Sequence, residues 1–135
     1  MVKLLSRLKF TLLLSVLSLL ASCAVSPDPM EMLDSSIRSY ERAIRWGGFQ
    51  RAKSFHKHSP VLSDFERRRM KFYRVIGYNV LQHTTPDKFN SHMVVEIKYY
   101  KNDMPVVKAI VAKQHWKREK DSKIWYLASD FPRFK

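Results

Sequence analysis

The pattern of apolar residues changes twice along the chain, and each change marks a different kind of segment. Residues 10 to 20 are almost wholly apolar, residues 33 to 55 carry apolar positions three or four apart, and beyond Met70 apolar and polar positions alternate. Spacing near 3.6 predicts a helix with one apolar face, and spacing of two predicts a strand. The chain therefore reads as a leader, then helices, then a sheet.

The first predicted helix begins after a short polar tether. Asp28 is suited to cap it, Pro29 fits the first helical position, and Glu31 follows Asp28 by three residues. Gly47-Gly48 is expected to end it. Its apolar face is formed by residues spaced four, three and four apart, namely Leu33, Ile37, Tyr40 and Ile44.

Two further helical segments are shorter. Phe49, Ala52 and Phe55 are three apart and predict a second helix over residues 49 to 56, which Ser59-Pro60 ends. With the first helix it would form a helical hairpin. Residues 63 to 66 are suited to one more helical turn before the alternating region begins.

Four strands are predicted in the alternating region, over residues 71 to 83, 92 to 101, 106 to 118 and 124 to 129. Short polar links separate them, so neighbouring strands are expected to pair antiparallel as a meander. Gly77 inside the first strand predicts a bulge that bends the sheet.

The second strand indicates which face of this sheet is covered. Met93, Val95, Ile97 and Tyr99 alternate with Val94, Glu96, Lys98 and Tyr100, so the first set is expected to meet the helices. The predicted fold class is α+β, an N-terminal helical hairpin packed on one side of a curved four-stranded antiparallel sheet.

The leader has the organisation of a secretory signal. Lys3, Arg7 and Lys9 precede the apolar run, which is shorter than the roughly 20 residues of a spanning helix. Leu20-Ala21-Ser22-Cys23 resembles the lipobox of bacterial lipoproteins. That resemblance implies cleavage before Cys23, acyl chains on this residue and, because Ala24 rather than Asp follows it, an outer-membrane location facing the periplasm in a Gram-negative cell. The alternatives are an uncleaved anchor helix, or a signal cut near Ala24.

The predicted organisation is a signal peptide over residues 1–22, a lipidated tether over 23–29 and one domain over 30–135. Cys23 is the only cysteine, so no internal disulfide can form. Removal of the signal takes away three basic residues and no acidic ones, and the net charge falls from +13 to +10. An exported basic domain is expected to meet an envelope protein or an anionic envelope polymer rather than nucleic acid.

Basic residues are densest in two stretches, which we treat as candidate sites for an anion or a partner. A charge run is more often a solvated face than a binding site, and that interpretation stays open. The candidate residues are Arg67, Arg68, Arg69, Lys71, Arg74, Lys113, Lys117 and Arg118, with Lys120 and Lys123 beside them.

Candidates for chemistry are few. Glu96 in a dry pocket would act as a base, and His115 is a second pocket candidate, although an exposed strand position with a weak ion pair is the ordinary interpretation of Glu96. His56-Lys57-His58 falls short of a zinc set, so these residues are expected to be solvated, and no metal or cofactor is predicted.

Two helices followed by Gly77-Tyr78, Gln114-His115-Trp116 and Trp125-Tyr126-Leu127 give a chain that resembles an NTF2-like (cystatin-like) α+β cone over residues 31 to 134. Members of that superfamily include both enzymes and binding modules, so the resemblance implies a fold and not an activity. The expected function is a non-enzymatic envelope lipoprotein with a basic binding surface. The alternative is a small-molecule-binding or enzymatic domain with an apolar cone pocket.

Overall fold

The computed structural model describes Met1 and residues 26–58 and 61–135. The predicted signal segment and Cys23 lie outside the described residues. Three helices precede four strands along the chain. They are α1 (Pro29–Arg45), α2 (Phe49–Lys53), α3 (Asp64–Met70), β1 (Tyr73–Asp87), β2 (Asn90–Lys101), β3 (Met104–Arg118) and β4 (Trp125–Leu127).

Helix α1 has the predicted apolar face and the predicted end. Leu33, Tyr40 and Ile44 are buried, and Ile37 packs against them while partly exposed. Gly47 has φ 71°, which a residue without a Cβ adopts at no steric cost. The amide of Gly48 donates to the Ala43 carbonyl at 2.8 Å and that of Gly47 to the Ile44 carbonyl at 3.3 Å, which is a Schellman end.

The start of α1 and the next two helices differ from the prediction. The Asp28 side chain makes no capping hydrogen bond. Helix α2 ends at Lys53 rather than at residue 56, because the chain then turns to pair with β4. Helix α3 is longer than one turn, since Ser63 and Glu66 form a reciprocal capping box at its first turn.

The four predicted strands form one antiparallel sheet in the order β1-β2-β3-β4. Pairing of β1 with β2 shifts between Val75 and Gly77, so the predicted bulge is confirmed. Strand β1 continues to Asp87 through Pro86, which the prediction had placed in a turn; β1 pairs only with β2, and an edge strand tolerates a residue without an amide proton. Strand β4 is shorter than predicted.

The core lies between the helices and one face of the sheet, which we call the inner face. Met93, Val95, Ile97 and Tyr99 are buried there, as predicted. Trp116 of β3 is fully buried, and its ring makes edge contacts with Tyr40 of α1. The described residues thus fold as an α+β domain in which helices cover one side of an antiparallel sheet.

The C-terminal segment packs back on this core. Phe134 is buried, and its ring contacts those of Phe49, Tyr73 and Tyr99 at centroid distances of 5.1 to 5.8 Å. Its carbonyl accepts a hydrogen bond from the Arg69 guanidinium at 3.0 Å. These contacts hold the end of the chain against the domain. Over residues 26–58 and 61–135, no helix has the length and apolar character needed to cross a bilayer.

Candidate functional site

The side of the sheet away from the helices carries lysines and exposed valines. Val107 and Val111 of β3 are 57% and 60% exposed, and both lie within the strand rather than in a loop. Residues of β2 that pair with exposed positions of β3 have side chains on the same side of the sheet. We call this surface the open face and define it by Val94, Glu96, Lys98, Val107, Val111, Lys113 and Lys117.

Charge on the open face is mainly positive. Glu96 is the single carboxylate of the set, and it lies 3.3 Å from the ammonium of Lys98. Lys113 and Lys117 take part in no ion pair with any described residue. Salt and water screen an exposed pair such as Glu96 and Lys98, which stabilises the fold by less than about 1 kcal/mol. The face therefore carries lysines whose charge has little compensation from neighbouring carboxylates.

The two pocket candidates lie on this side of the sheet rather than in a cavity. Glu96 alternates with the buried Val95 and Ile97, and its carboxylate contacts the Asn79 amide at 3.4 Å. Glu96 thus lies at an ordinary strand position with a weak ion pair, which is the second of the two interpretations of its sequence context. Four cavities are lined by described residues other than Glu96 and His115.

His115 stacks on His92 of the neighbouring strand. The ring centroids are 4.2 Å apart and the planes differ by 24°. Nε2 of His115 is 3.2 Å from Oδ1 of Asn90, to which it donates in the tautomer protonated at that nitrogen. Partial burial, the neighbouring His92 and Lys117 lower the pKa of His115, so its imidazole stays neutral at neutral pH. A neutral, stacked histidine adds an aromatic surface at one end of the open face.

The basic residues around α3 lie at the opposite end of the sheet. Arg74, near the start of β1, pairs with Tyr100 of β2. Lys117 of β3 pairs with Asn90, at the other end of β2. Along β2 these two pairs are separated by roughly 33 Å, at about 3.3 Å per residue. The candidate basic residues therefore form two separate clusters, and they do not converge on one patch.

Most arginines of the candidate set have structural partners. Arg67 pairs with Asp64 on α3, and Arg69 holds the Phe134 carbonyl. Arg74 donates to the carbonyls of Lys71 and Tyr73 at 2.9 and 3.2 Å. Arg118 donates to the Lys123 carbonyl at 3.3 Å. These guanidinium groups stabilise turns and hold the C-terminal segment through hydrogen bonds. Arg68 and Lys71 are exposed beside them.

His56 is buried, and the expectation of a solvated residue is wrong for it. Nδ1 lies 2.7 Å from the Ser129 carbonyl, which only accepts, so Nδ1 carries the proton. Nε2 then accepts from the Tyr40 hydroxyl at 3.2 Å. Burial lowers the pKa of His56 against the opposing effects of the Ser129 bond and Asp130. Its partners lie 16 and 73 residues away in the chain, and no local motif signals them.

The interior between helices and sheet is filled by aromatic residues and one polar chain. Trp116 donates its indole N–H to Gln114 at 3.4 Å, and Gln114 donates to the Tyr78 hydroxyl at 2.9 Å. Burial raises the pKa of Tyr78 to about 12, so this group stays a neutral phenol. Phe55 and Tyr40 pack edge-on against Trp116. The alternative prediction would place a cone pocket here, and the side chains of Trp116, Tyr40 and Phe55 occupy this region.

A separate cavity of about 400 Å³ lies between α2, α3 and the C-terminal segment. Its lining combines basic groups with apolar ones, and two carboxylates stand at its wall. No local sequence pattern predicted this cavity, because its walls come from three distant segments. The lining includes Lys53, Leu62, Glu66, Arg69, Met70 and Phe131.

In the described part of the chain, no group of three His, Cys, Asp or Glu side chains is arranged to hold a metal ion. The sequence matches no protein-family model, and no curated protein and no solved structure matches the chain. Function is therefore argued from the residues and their geometry.

Proposed function

We propose that this chain is a bacterial envelope lipoprotein anchored by acyl chains on Cys23, with a non-enzymatic binding module as its mature domain. Support for the anchor comes from Leu20-Ala21-Ser22-Cys23, which follows a short basic segment and an apolar run. Several acyl chains, at about 0.8 kcal/mol per buried methylene, give durable membrane attachment without a spanning helix. Ala24 favours the outer membrane, with the domain facing the periplasm.

The fold proposed for the module is an NTF2-like cone. Its support is a bulged antiparallel sheet whose one face is covered by α1 and α2. Bulges increase local twist and bend a strand, which is how a sheet curves around a helix. Cone folds also host enzymes, but Trp116 and Tyr40 fill the interior where such a pocket would form. The enzymatic or ligand-carrying alternative in that interior thus has less support than the binding module.

The open face is the proposed binding surface, and its partner is an acidic envelope protein. The observation that carries this proposal is the exposure of Val107 and Val111 on the same face as Lys113 and Lys117, which have no ionic partner among the described residues. Lysines attract an acidic surface and raise the rate of encounter. Valines on the same face gain from burial only against another apolar surface, so a folded protein fits this face better than a plain anionic polymer.

Lipidation is tested by metabolic labelling with an alkyne palmitate. The wild-type chain is expected to incorporate the label and to sediment with membranes, whereas Cys23→Ala incorporates none. An Ala24→Gly variant is the matched control, since it changes the next residue and keeps the thiol. Label in Cys23→Ala, or an unlabelled wild type, would contradict the anchor.

The binding surface is tested by charge reversal at each basic cluster separately. Lys113→Glu with Lys117→Glu changes the open face, and Arg67→Glu with Arg68→Glu changes α3 by the same net charge. Copurification from solubilised membranes is expected to lose the partner at least about tenfold in the first double variant, because each reversed contact becomes repulsive. Equal recovery with both variants would rule out the open face as the binding surface.

A further inference from the structure

We propose that the cavity between α2, α3 and the C-terminal segment binds a small anion with an apolar body, held by the Lys53 ammonium and the Arg69 guanidinium. This site lies on the helix side of the sheet and shares no residue with the open face. Its ligand is a phosphate or carboxylate group on an aromatic or aliphatic body. The two proposals can therefore fail separately.

Lys53 is the main reason for this proposal. Only 9% of the residue is exposed, yet its ammonium makes no ion pair or hydrogen bond with any described residue. The ammonium is also not sealed in the interior, since the described chain holds no fully enclosed side-chain nitrogen or oxygen without a partner. A buried stem that ends at a cavity wall leaves the ammonium open to the cavity. An anion bound in the cavity would therefore meet an ammonium that no described carboxylate pairs with.

Neither carboxylate near the cavity forms a direct ion pair with Lys53. Glu66 is held by the capping box, where its Oε2 accepts from the Ser63 amide at 2.8 Å and the Ser63 hydroxyl at 2.9 Å. These bonds, more than the nearby Lys53 and Arg69, lower the pKa of Glu66. Asp130 makes no ion pair within the described residues. Both acids lie beyond 4.0 Å of the Lys53 ammonium.

Arg69 adds a second donor with a fixed position. One of its terminal nitrogens donates to the Phe134 carbonyl at 3.0 Å, which anchors the guanidinium at the cavity wall. A guanidinium has five N–H donors, so several remain for a ligand. A planar donor set beside an ammonium suits a phosphate or a carboxylate.

The apolar part of the lining indicates more than a simple ion site. Leu62 and Phe131 face the same cavity, and Met70 adds a flexible thioether. A space of about 400 Å³ is within the range of small-molecule pockets and far larger than one phosphate needs. The ligand class that fits is an amphiphilic anion the size of a substituted aromatic acid.

Three probes test this inference by calorimetric titration of the full chain in nanodiscs: phenyl phosphate, benzoate and inorganic phosphate. Phenyl phosphate or benzoate is expected to bind at least about tenfold more tightly than inorganic phosphate, because only these two bury an apolar body. Which of them binds better identifies the head group. Binding of inorganic phosphate at the same strength, or of no probe at millimolar concentration, would overturn the proposal.

Lys53→Met tests the role of the ammonium. It keeps the length of the stem and removes an uncompensated charge, so the variant is expected to fold and to bind its best probe at least about tenfold more weakly. Lys120→Met is the matched control, since Lys120 is exposed and outside the cavity. Undiminished binding in folded Lys53→Met would contradict the assignment.

A wild-type measurement keeps the test independent of any variant. Met70 lines the cavity, whereas Met104 is 60% exposed at the start of β3. With methyl-labelled methionine, the probe is expected to shift the Met70 NMR signal saturably and to leave that of Met104 in place. Equal shifts at both methyls would show nonspecific association and would overturn the site.

Discussion

The two faces of the sheet differ in how many contacts their side chains make within the domain. On the inner face, Trp116 is fully buried and Gln114 is hydrogen-bonded on both sides, to Trp116 and to Tyr78. On the open face, Val111 is largely exposed and Lys113 has no ionic partner among the described residues. These residues alternate along the same strand, so one backbone supplies both surfaces.

This difference separates stability from binding in a testable way. Inner-face residues are held by many contacts, and their loss is expected to change the free energy of unfolding. Open-face residues make few contacts within the domain, and changes there are expected to alter partner binding alone. We expect the loss of stability to decrease from the inner-face variants to the open-face variants.

Truncation of the central tryptophan is expected to be the most destabilising change. Trp116→Ala removes a fully buried indole and opens a cavity against Tyr40 and Phe55. Unfolding in urea should show a loss of about 3–5 kcal/mol. Val111→Ala, five residues earlier on the other face, is the control and should lose less than about 0.5 kcal/mol. Similar losses in both variants would break the proposed division between the faces.

Removal of one buried hydroxyl is expected to have a smaller effect. Tyr40→Phe keeps the ring packing on Trp116 and leaves Nε2 of His56 without its donor. An unsatisfied buried acceptor costs about 1–3 kcal/mol, which urea unfolding at neutral pH can resolve. Tyr100→Phe on the other side of the sheet is the matched control, expected to unfold like the wild type.

Mild acid is expected to destabilise the domain through His56. Because burial lowers the pKa of His56 from its usual 6.5, the unfolded chain takes up the proton first. Stability is therefore full above about pH 7.5 and declines as pH falls through 6.5 toward the lower pKa of the folded state. Urea midpoints between pH 8 and 5.5 should show this decline, and His56→Asn should flatten it. A decline of equal size in His56→Asn would assign the effect to other groups, such as His115.

Charge reversal on the open face is expected to have the smallest effect on stability. Lys113→Glu with Lys117→Glu should leave the urea midpoint within the range of ordinary surface substitutions, about 0.5 kcal/mol. The same variant should lose its partner, which makes the contrast with Trp116→Ala complete. Marked destabilisation by this variant would show that these lysines serve the fold.

Local patterns predicted much of this architecture. Alternation from Met93 to Tyr99 identified the buried face, because a strand has only two sides and one of them is apolar. Gly47-Gly48 predicted the end of α1, since the αL position there favours glycine. Helix α3 was underestimated because its residues Arg67, Arg68 and Arg69 bury no apolar face, so no periodicity marked its length.

The candidate sites were harder to predict from sequence. The basic runs were visible, but their separation into two clusters depends on the strand register, which composition does not contain. His56 looked like a loop residue, because Tyr40 and Ser129 reach it only through the tertiary fold. The cavity at Lys53 could not be predicted for the same reason, since its walls come from segments far apart in the chain.

Site-specific photo-crosslinking in living cells can locate the partner on the surface of the domain. A photoreactive residue at Val111 samples the open face, and one at the exposed Ser35 samples α1 on the covered side. We expect a single acidic envelope protein to be captured from position 111 and lost when Lys113→Glu and Lys117→Glu are added. Capture of the same protein from position 35 with equal yield, or none from position 111, would contradict the assignment of binding to the open face.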